Sequence, residues 1–488
     1  MAFAAAALVA GSAWAAEAPG DISWYTVVTD NGRTIGHSSQ QVAPAVDGVE
    51  IIDSQEIDIV EEGTPAEPIS WSRPDKIVTA SWRTVRKQDL TGRTISVSAR
   101  SQTGSEWTHT DARIEEGNAE IIRQTPAETR TIVLTLPTAV RFDSGAGLLP
   151  AWNPATKPRL EFDDFNIDAM AVDHIVIEAA PGVLNDPPGG IVALRKRFVD
   201  GNLLGVTKLV LDGAHRIVQV TQPMFGVGLT IKATDRETAL AAHLAFRPLS
   251  SAMVKSPFVI SSPASEGHIR YRFSFRDGIE FALPQTGEQR VTVEPGFATV
   301  DICEECGPGL PTDAAYLADA RKPTAWLQSD SPQLKAIADP VAKLGVSDSR
   351  KMELLRQGAQ PYIRKVDFTG HYSALEILTR RSADCTDAAV LLAALGRAAG
   401  IPTRVVNGLV YSRPSYHGVS NVFMPHSWTL AWADGKWRSF DLALDNFDST
   451  HLALTVGDGD ERSALAAEQL AGLLHWDSMS EVRTAPAN

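Results

Sequence analysis

The sequence predicts an α+β protein in which antiparallel β-rich domains precede a C-terminal core of helices packed on an antiparallel sheet. Three observations predict it. From about Asp21 to Arg247, β-branched and polar residues alternate over short runs. After the breaker Gly307-Pro-Gly-Leu-Pro311 the apolar spacing turns helical, from about Thr312 onward. Short strand-like runs then return beyond Thr403. A chain of 488 residues also exceeds what one core usually holds, so several domains are expected. Their expected limits are 17–247 for a β-rich N-terminal domain, 248–310 for a small β-module and 311–488 for the C-terminal domain, after an expected signal peptide at 1–16.

In the first domain, Arg93–Ala99, Thr129–Leu136 and His174–Glu178 carry the strand alternation. Two turn signals imply antiparallel pairing. Asn31-Gly32 follows the apolar run Trp24–Val28, and Asp212-Gly213 separates Thr207–Leu211 from His215–Val220. The small module is read from His268–Phe275 and Gln289–Val293. Beyond the boundary, Pro332–Leu344 and Ser349–Val366 have apolar residues every three or four positions, as amphipathic helices do. Thr386–Ala399 is apolar on nearly every face, which fits a helix buried in a domain centre and stopped near Gly400 and Pro402. Thr403–Val406, Ser427–Trp432 and Lys436–Phe440 read as strands, the last two joined through Asp434-Gly435.

Bulk properties narrow the function classes. The chain is 44% hydrophobic and 21% charged, the balance of a folded, water-soluble protein. A formal charge of −14 opposes phosphate backbones and anionic headgroups, so nucleic acid is not an expected partner. Met1–Ala16 is small and apolar and ends in Ala13-Trp14-Ala15-Ala16, like a cleavage site, although no Lys or Arg precedes it. Export to the periplasm or medium is the expectation. No other apolar run approaches the roughly 18 residues that span a bilayer. The sequence leaves the oligomeric state open.

Of three cysteines, Cys303 and Cys306 stand together in Asp-Ile-Cys-Glu-Glu-Cys-Gly and Cys385 stands alone. The pair could ligate zinc, cycle as a redox couple or close a disulfide. Two ligands do not make a metal site, and no second Cys pair or close His pair accompanies them, so the disulfide is favoured. No metal or cofactor is expected. Cys385 opens the buried helix, where unpaired backbone donors favour a thiolate. His426 lies at the start of one strand and Asp441 at the end of its hairpin partner, 15 residues apart around Asp434-Gly435. An imidazole there can take the thiol proton and return it to a leaving amine, while the carboxylate fixes its tautomer.

Arg380-Arg-Ser-Ala-Asp-Cys-Thr-Asp387, Leu395-Gly-Arg-Ala-Ala-Gly-Ile-Pro-Thr-Arg404, His426-Ser-Trp428 and Trp437-Arg-Ser-Phe-Asp441 resemble, in order, the motifs of the transglutaminase-like superfamily. The resemblance covers about Pro332–Leu454. It implies a papain-like core, a Cys385–His426–Asp441 triad, a thioester intermediate and amide chemistry on peptide or protein substrates, by hydrolysis or by glutamine acyl transfer. Two departures touch no catalytic group: Ser382-Ala383 replaces a more usual glycine-containing turn, and Ser427 stands where alanine is common. The alternative is a catalytically silent scaffold or binding protein of the cell envelope.

His417 competes with His426 as the base, and Asp445 with Asp441 as the orienting carboxylate. Asp384 and Asp387 are read as helix-start decoration, and Tyr372 as a candidate second oxyanion donor beside the Cys385 N–H. Gly457-Asp-Gly-Asp-Glu461 has acidic spacing that hints at calcium but reads more simply as a polar loop before a helix.

Overall fold

The computed structural model describes residues 22–61, 76–180, 190–224, 227–364, 371–413, 419–444 and 446–483. The expected leader at 1–16 and the rivals His417 and Asp445 lie outside the described residues. The chain divides into two compact units, one within 3–251 and the other from Ala252 onward. The fold is α+β, as expected.

In the N-terminal unit, fourteen strands form one sheet whose neighbours are antiparallel. From one edge at Thr129–Thr135 the strands run back through the chain to Ile22–Thr29; that strand pairs with Val227–Thr234, and the order then descends to Arg159–Asn166. The three strands read from alternation appear as Thr94–Thr103, Thr129–Thr135 and Ala171–Ala179. Along Ile22–Thr29 the alternation buries one face: Tyr25 and Val27 are buried while the residues between and beside them are only partly covered. Both predicted hairpins form. In the second, the positive φ falls on His215 at 58° rather than on Asp212 or Gly213, because the turn runs from Asp212 to His215, whose N–H meets the Asp212 carbonyl at 2.9 Å.

The C-terminal unit holds a five-stranded antiparallel sheet in the order Val254–Lys255, Val422–Ala433, Thr403–Ser412, Leu452–Gly457, with Lys436–Phe440 also pairing Val422–Ala433. Against it packs the helix Cys385–Ala398, whose residues 386–397 are all buried. Helices Pro332–Ala342, Asp348–Ala359 and Ala374–Arg380 surround it, and Leu334, Met352, Leu355, Ile377, Leu391 and Leu395 share one core. Gly396 permits this packing. A Cβ there would come within 2.6 Å of Thr403 Cγ2 and 3.0 Å of Met352 Sδ. The helix predicted to reach Val366 stops at Ala359 and tightens into a 3₁₀ turn over Gln360–Tyr362, since Pro361 has no N–H for the α-helical ladder.

The segment 248–310 is not a separate module. Its strands Ile269–Phe275, Gln289–Glu294 and Phe297–Ile302 form a four-stranded sheet with Leu474–Glu481 from the chain's far end. Tyr271 donates its hydroxyl to the Ser449 carbonyl at 2.9 Å, and Val254 pairs with Phe423. Those contacts place 252–310 inside the C-terminal unit. Among the described residues no helix is long and apolar enough to cross a membrane.

Candidate active site

Asp384, in extended backbone, accepts hydrogen bonds from the N–H groups of Thr386 at 2.9 Å and Asp387 at 3.1 Å, and so starts the central helix. Cys385 is the first helical residue, partly exposed, and its thiol is free because Cys303 and Cys306 form a disulfide. Polar side chains lock this first turn to the sheet. Thr386 Oγ1 lies 3.3 Å from Ser427 Oγ, which donates to Asn407 Oδ1 at 2.7 Å, and Thr429 donates to the Ala389 carbonyl at 3.0 Å. Ser427, where alanine is common in the resembling family, thus joins the helix start to two strands.

His426 lies inside the strand Val422–Ala433 rather than at its start. Pro425 hides the beginning of that strand from a pattern reading, since a residue without an N–H argues against a central strand. Asp434 and Gly435, at φ 54° and 79°, close the predicted two-residue hairpin, and the register pairs Thr429 with Phe440. Asp441 follows Phe440 and so falls diagonal to His426. His426 Nε2 and Asp441 Oδ2 are 2.7 Å apart, and the two residues are only 4% and 1% exposed. The other carboxylate oxygen accepts the N–H groups of Ala443 at 2.7 Å and Leu444 at 2.9 Å.

With Nε2 committed to the carboxylate, the second ring nitrogen is left for the thiol, and Cys385 interacts with His426 by hydrogen bond and by charge. Burial alone would push the imidazole below its ordinary range. The Asp441 carboxylate outweighs it, with help from Cys385, and holds His426 well above that range. Burial likewise pushes Asp441 upward, but the His426 and His451 imidazoles hold it well below the usual carboxylate range. The three residues singled out from sequence are therefore brought together by helix, strand and hairpin.

His451 was missed. Its Nε2 lies 3.2 Å from the same Asp441 Oδ2, and its Nδ1 lies 3.1 Å from Asp448 Oδ1. It sits in a turn, Asp448-Ser-Thr-His451, that shows neither strand nor helix period, so no pattern could point to it. Glu288 was missed too. Buried, with its carboxyl pushed upward by that burial, it accepts the N–H of Ser439 at 2.7 Å and its hydroxyl at 3.0 Å, two residues before Asp441.

The remaining candidates go elsewhere. Tyr372 belongs to the helical core, with the Arg380 guanidinium 3.9 Å from its ring centroid. The acidic 457–461 loop is not laid out for calcium: Asp458 pairs with Arg397 and Arg404, and Asp460 caps the helix Glu461–Leu473. Among the described residues, two sets of donor atoms lie close enough for a metal, His268 with Cys303 and Cys306, and His426 with Asp441 and His451. In the first the sulfurs are joined to each other, and in the second the three groups already satisfy one another as hydrogen-bond partners.

Residues 326–442 match the family model of the transglutaminase-like superfamily. No curated protein matches the chain. Solved structures with some similarity include a candidate cysteine protease from Cytophaga hutchinsonii, at 17% identity and TM-score 0.27, covering 44% of this chain and 86% of that one. A β-barrel-like protein of the domain of unknown function DUF1849 from Brucella abortus aligns at 14% identity and TM-score 0.32, covering 44% of this chain and 95% of that one. A candidate protease from Parabacteroides distasonis aligns at 12% identity and TM-score 0.21, covering 90% of this chain and 72% of that one. The matched segment contains Cys385, His426 and Asp441, and the C-terminal unit accordingly carries a core of the transglutaminase-like superfamily.

Proposed function

We propose that this chain performs thiol-dependent chemistry on the amides of peptides or proteins, with Cys385 as nucleophile, His426 as proton carrier and Asp441 as its orienting carboxylate. One observation supports this above others: a buried 2.7 Å His426–Asp441 hydrogen bond whose imidazole meets the only free thiol at a helix start. Because Asp441 holds His426 well above its ordinary range, the imidazole carries a proton ready for the leaving amine. The sulfur attacks the amide carbonyl, and the resulting oxyanion is received by the Cys385 backbone N–H, a first-turn donor that the helix itself leaves unpaired. Collapse forms a thioester and breaks the C–N bond, with the His426 proton leaving on the amine. His426, now neutral, takes a proton from water or from a second amine as that group attacks the thioester, giving acid or new amide and freeing the sulfur.

The leader-like start and the Cys303–Cys306 disulfide support a place outside the cytoplasm, in the periplasm or the medium. The test uses casein with and without a primary-amine probe, beside a Cys385→Ala variant. Fragments that vanish in the variant establish hydrolysis, and amine incorporation that vanishes establishes acyl transfer. If neither product forms, or both persist in the variant, the assignment is wrong and a binding role replaces it.

A further inference from the structure

Two imidazoles share one oxygen in this site. Asp441 Oδ2 lies 2.7 Å from His426 Nε2 and 3.2 Å from His451 Nε2, and all three side chains are at most 4% exposed. His451 reaches this position from the other side of its ring as well. Its Nδ1 lies 3.2 Å from the Asp448 N–H and 3.1 Å from Asp448 Oδ1. Asp448 in turn is fixed by Thr450, whose N–H and hydroxyl it accepts at 2.9 and 2.6 Å. Phe447 and Trp428 wall the imidazole at 4.7 and 5.2 Å between ring centroids.

This seating satisfies the ring in either charge state. When neutral, His451 donates Nε2–H to Asp441 and accepts the Asp448 N–H at Nδ1. When charged, it donates from both nitrogens, to the carboxylates of Asp441 and Asp448. The charged groups facing it are Asp441, Asp448 and His426; the first two favour its protonation and His426 opposes it. A buried polar network satisfied at every member rigidifies the groups it joins.

We propose that His451 is a positioning residue for the reaction: it donates to the Asp441 oxygen that His426 uses, and so holds that carboxylate in line with the imidazole. The chain of contacts is then Asp448–His451–Asp441–His426–Cys385. Two backbone N–H groups fix the Asp441 oxygen that faces away from the imidazole, and His451 fixes the one that faces it. His451 touches no reacting atom. When charged, it also shares the Asp441 charge with His426 and limits how strongly that carboxylate holds the His426 proton.

The inference rests on the proposed triad, and two readouts keep the two apart. The first compares His451→Phe, which keeps an aromatic ring and removes the donors, with His451→Gln, which keeps a donor. A loss of about 10–100-fold in kcat, the size typical for outer partners of metal-bound histidines, is expected for His451→Phe, with KM within about twofold. His451→Gln should restore kcat to within about threefold of wild type. The second follows the His426 imidazole by NMR across pH in 15N-histidine-labelled protein, independently of any substrate. Removing the partner that shares the Asp441 oxygen should move its titration upward in His451→Phe, and His451→Gln, which keeps a donor, should move it less. If the phenylalanine variant does not fold, the glutamine variant and the NMR titration decide. An unmoved titration, or a kcat loss that merely follows falling thermal stability in both variants, overturns the positioning role. Activity that survives Cys385→Ala sinks the triad instead and leaves the NMR comparison to decide for His451.

Discussion

Asp53 in the N-terminal sheet and Asp441 in the C-terminal unit are both buried aspartates, yet they are held in opposite states. Burial pushes Asp53 up to about 7, because one Gln40 amide at 2.6 Å and the charge of Arg86 do not offset the lost water. Asp441 is as deeply buried but held well below the usual range, since two imidazoles and two backbone N–H groups surround its oxygens. Burial alone therefore does not set the charge of a carboxylate; its partners decide it. A meander supplies Asp53 with partners from adjacent strands, whereas Asp441 collects its own from strand, turn and loop.

The largest expected effect that breaks this contrast is removal of the proposed nucleophile. Cys385→Ala should reduce turnover by about 10⁴-fold or more, measured on whichever amide substrate the casein assay identifies. Asp441→Asn comes next, with a loss of about 10²–10⁴-fold. It should also move the alkaline limb of the pH–rate profile downward. The sign follows from Asp441 raising His426: without that carboxylate the imidazolium loses its proton at lower pH. A profile unchanged in shape would detach Asp441 from His426.

Stability sharpens the comparison with a smaller effect. The raised Asp53 keeps its proton in the folded state while the unfolded chain loses it, so stability falls as pH rises from about 4 to about 7. Asp53→Asn should thus match wild type near pH 4 and exceed it by about 1–4 kcal/mol at pH 8, read by denaturant titration. For the depressed Asp441 the sign reverses. Its contribution is present above the unfolded value near 4 and is lost as pH falls toward the folded one. Asp441→Asn should therefore destabilise the protein at neutral pH, and the gap should narrow in acid. Ser427→Ala, which loosens the tie between the helix start and Asn407 without touching the reacting groups, should cost the least, roughly three- to tenfold in turnover.

Much of this arrangement could be read along the chain because it is local. Period-two alternation marks the strands around Thr94, Thr129 and Ala171, and Asp434-Gly435 carries the two positive φ angles of a tight hairpin. Cys385 precedes an unbroken apolar helix, and family motifs single out His426 and Asp441. What escaped is non-local. The small-module boundary failed because Ile269–Phe275 pairs with Leu474–Glu481, about two hundred residues away, and the polar run His475-Trp-Asp-Ser-Met-Ser-Glu481 shows no strand signal of its own. His451 escaped because its role depends on where the turn after Phe447 lands, and Glu288 because it reaches Ser439 across 151 residues. Partners that close a site from far along the sequence leave no periodic trace.

The most direct measurement is the rate at which iodoacetamide modifies Cys385 in the native protein at pH 6.5, located by mass spectrometry and compared with the denatured chain and with Asp441→Asn. An imidazolium held charged beside the sulfur predicts modification at least tenfold faster than in the denatured chain, and a marked drop in the asparagine variant. Equal rates in all three samples would contradict it.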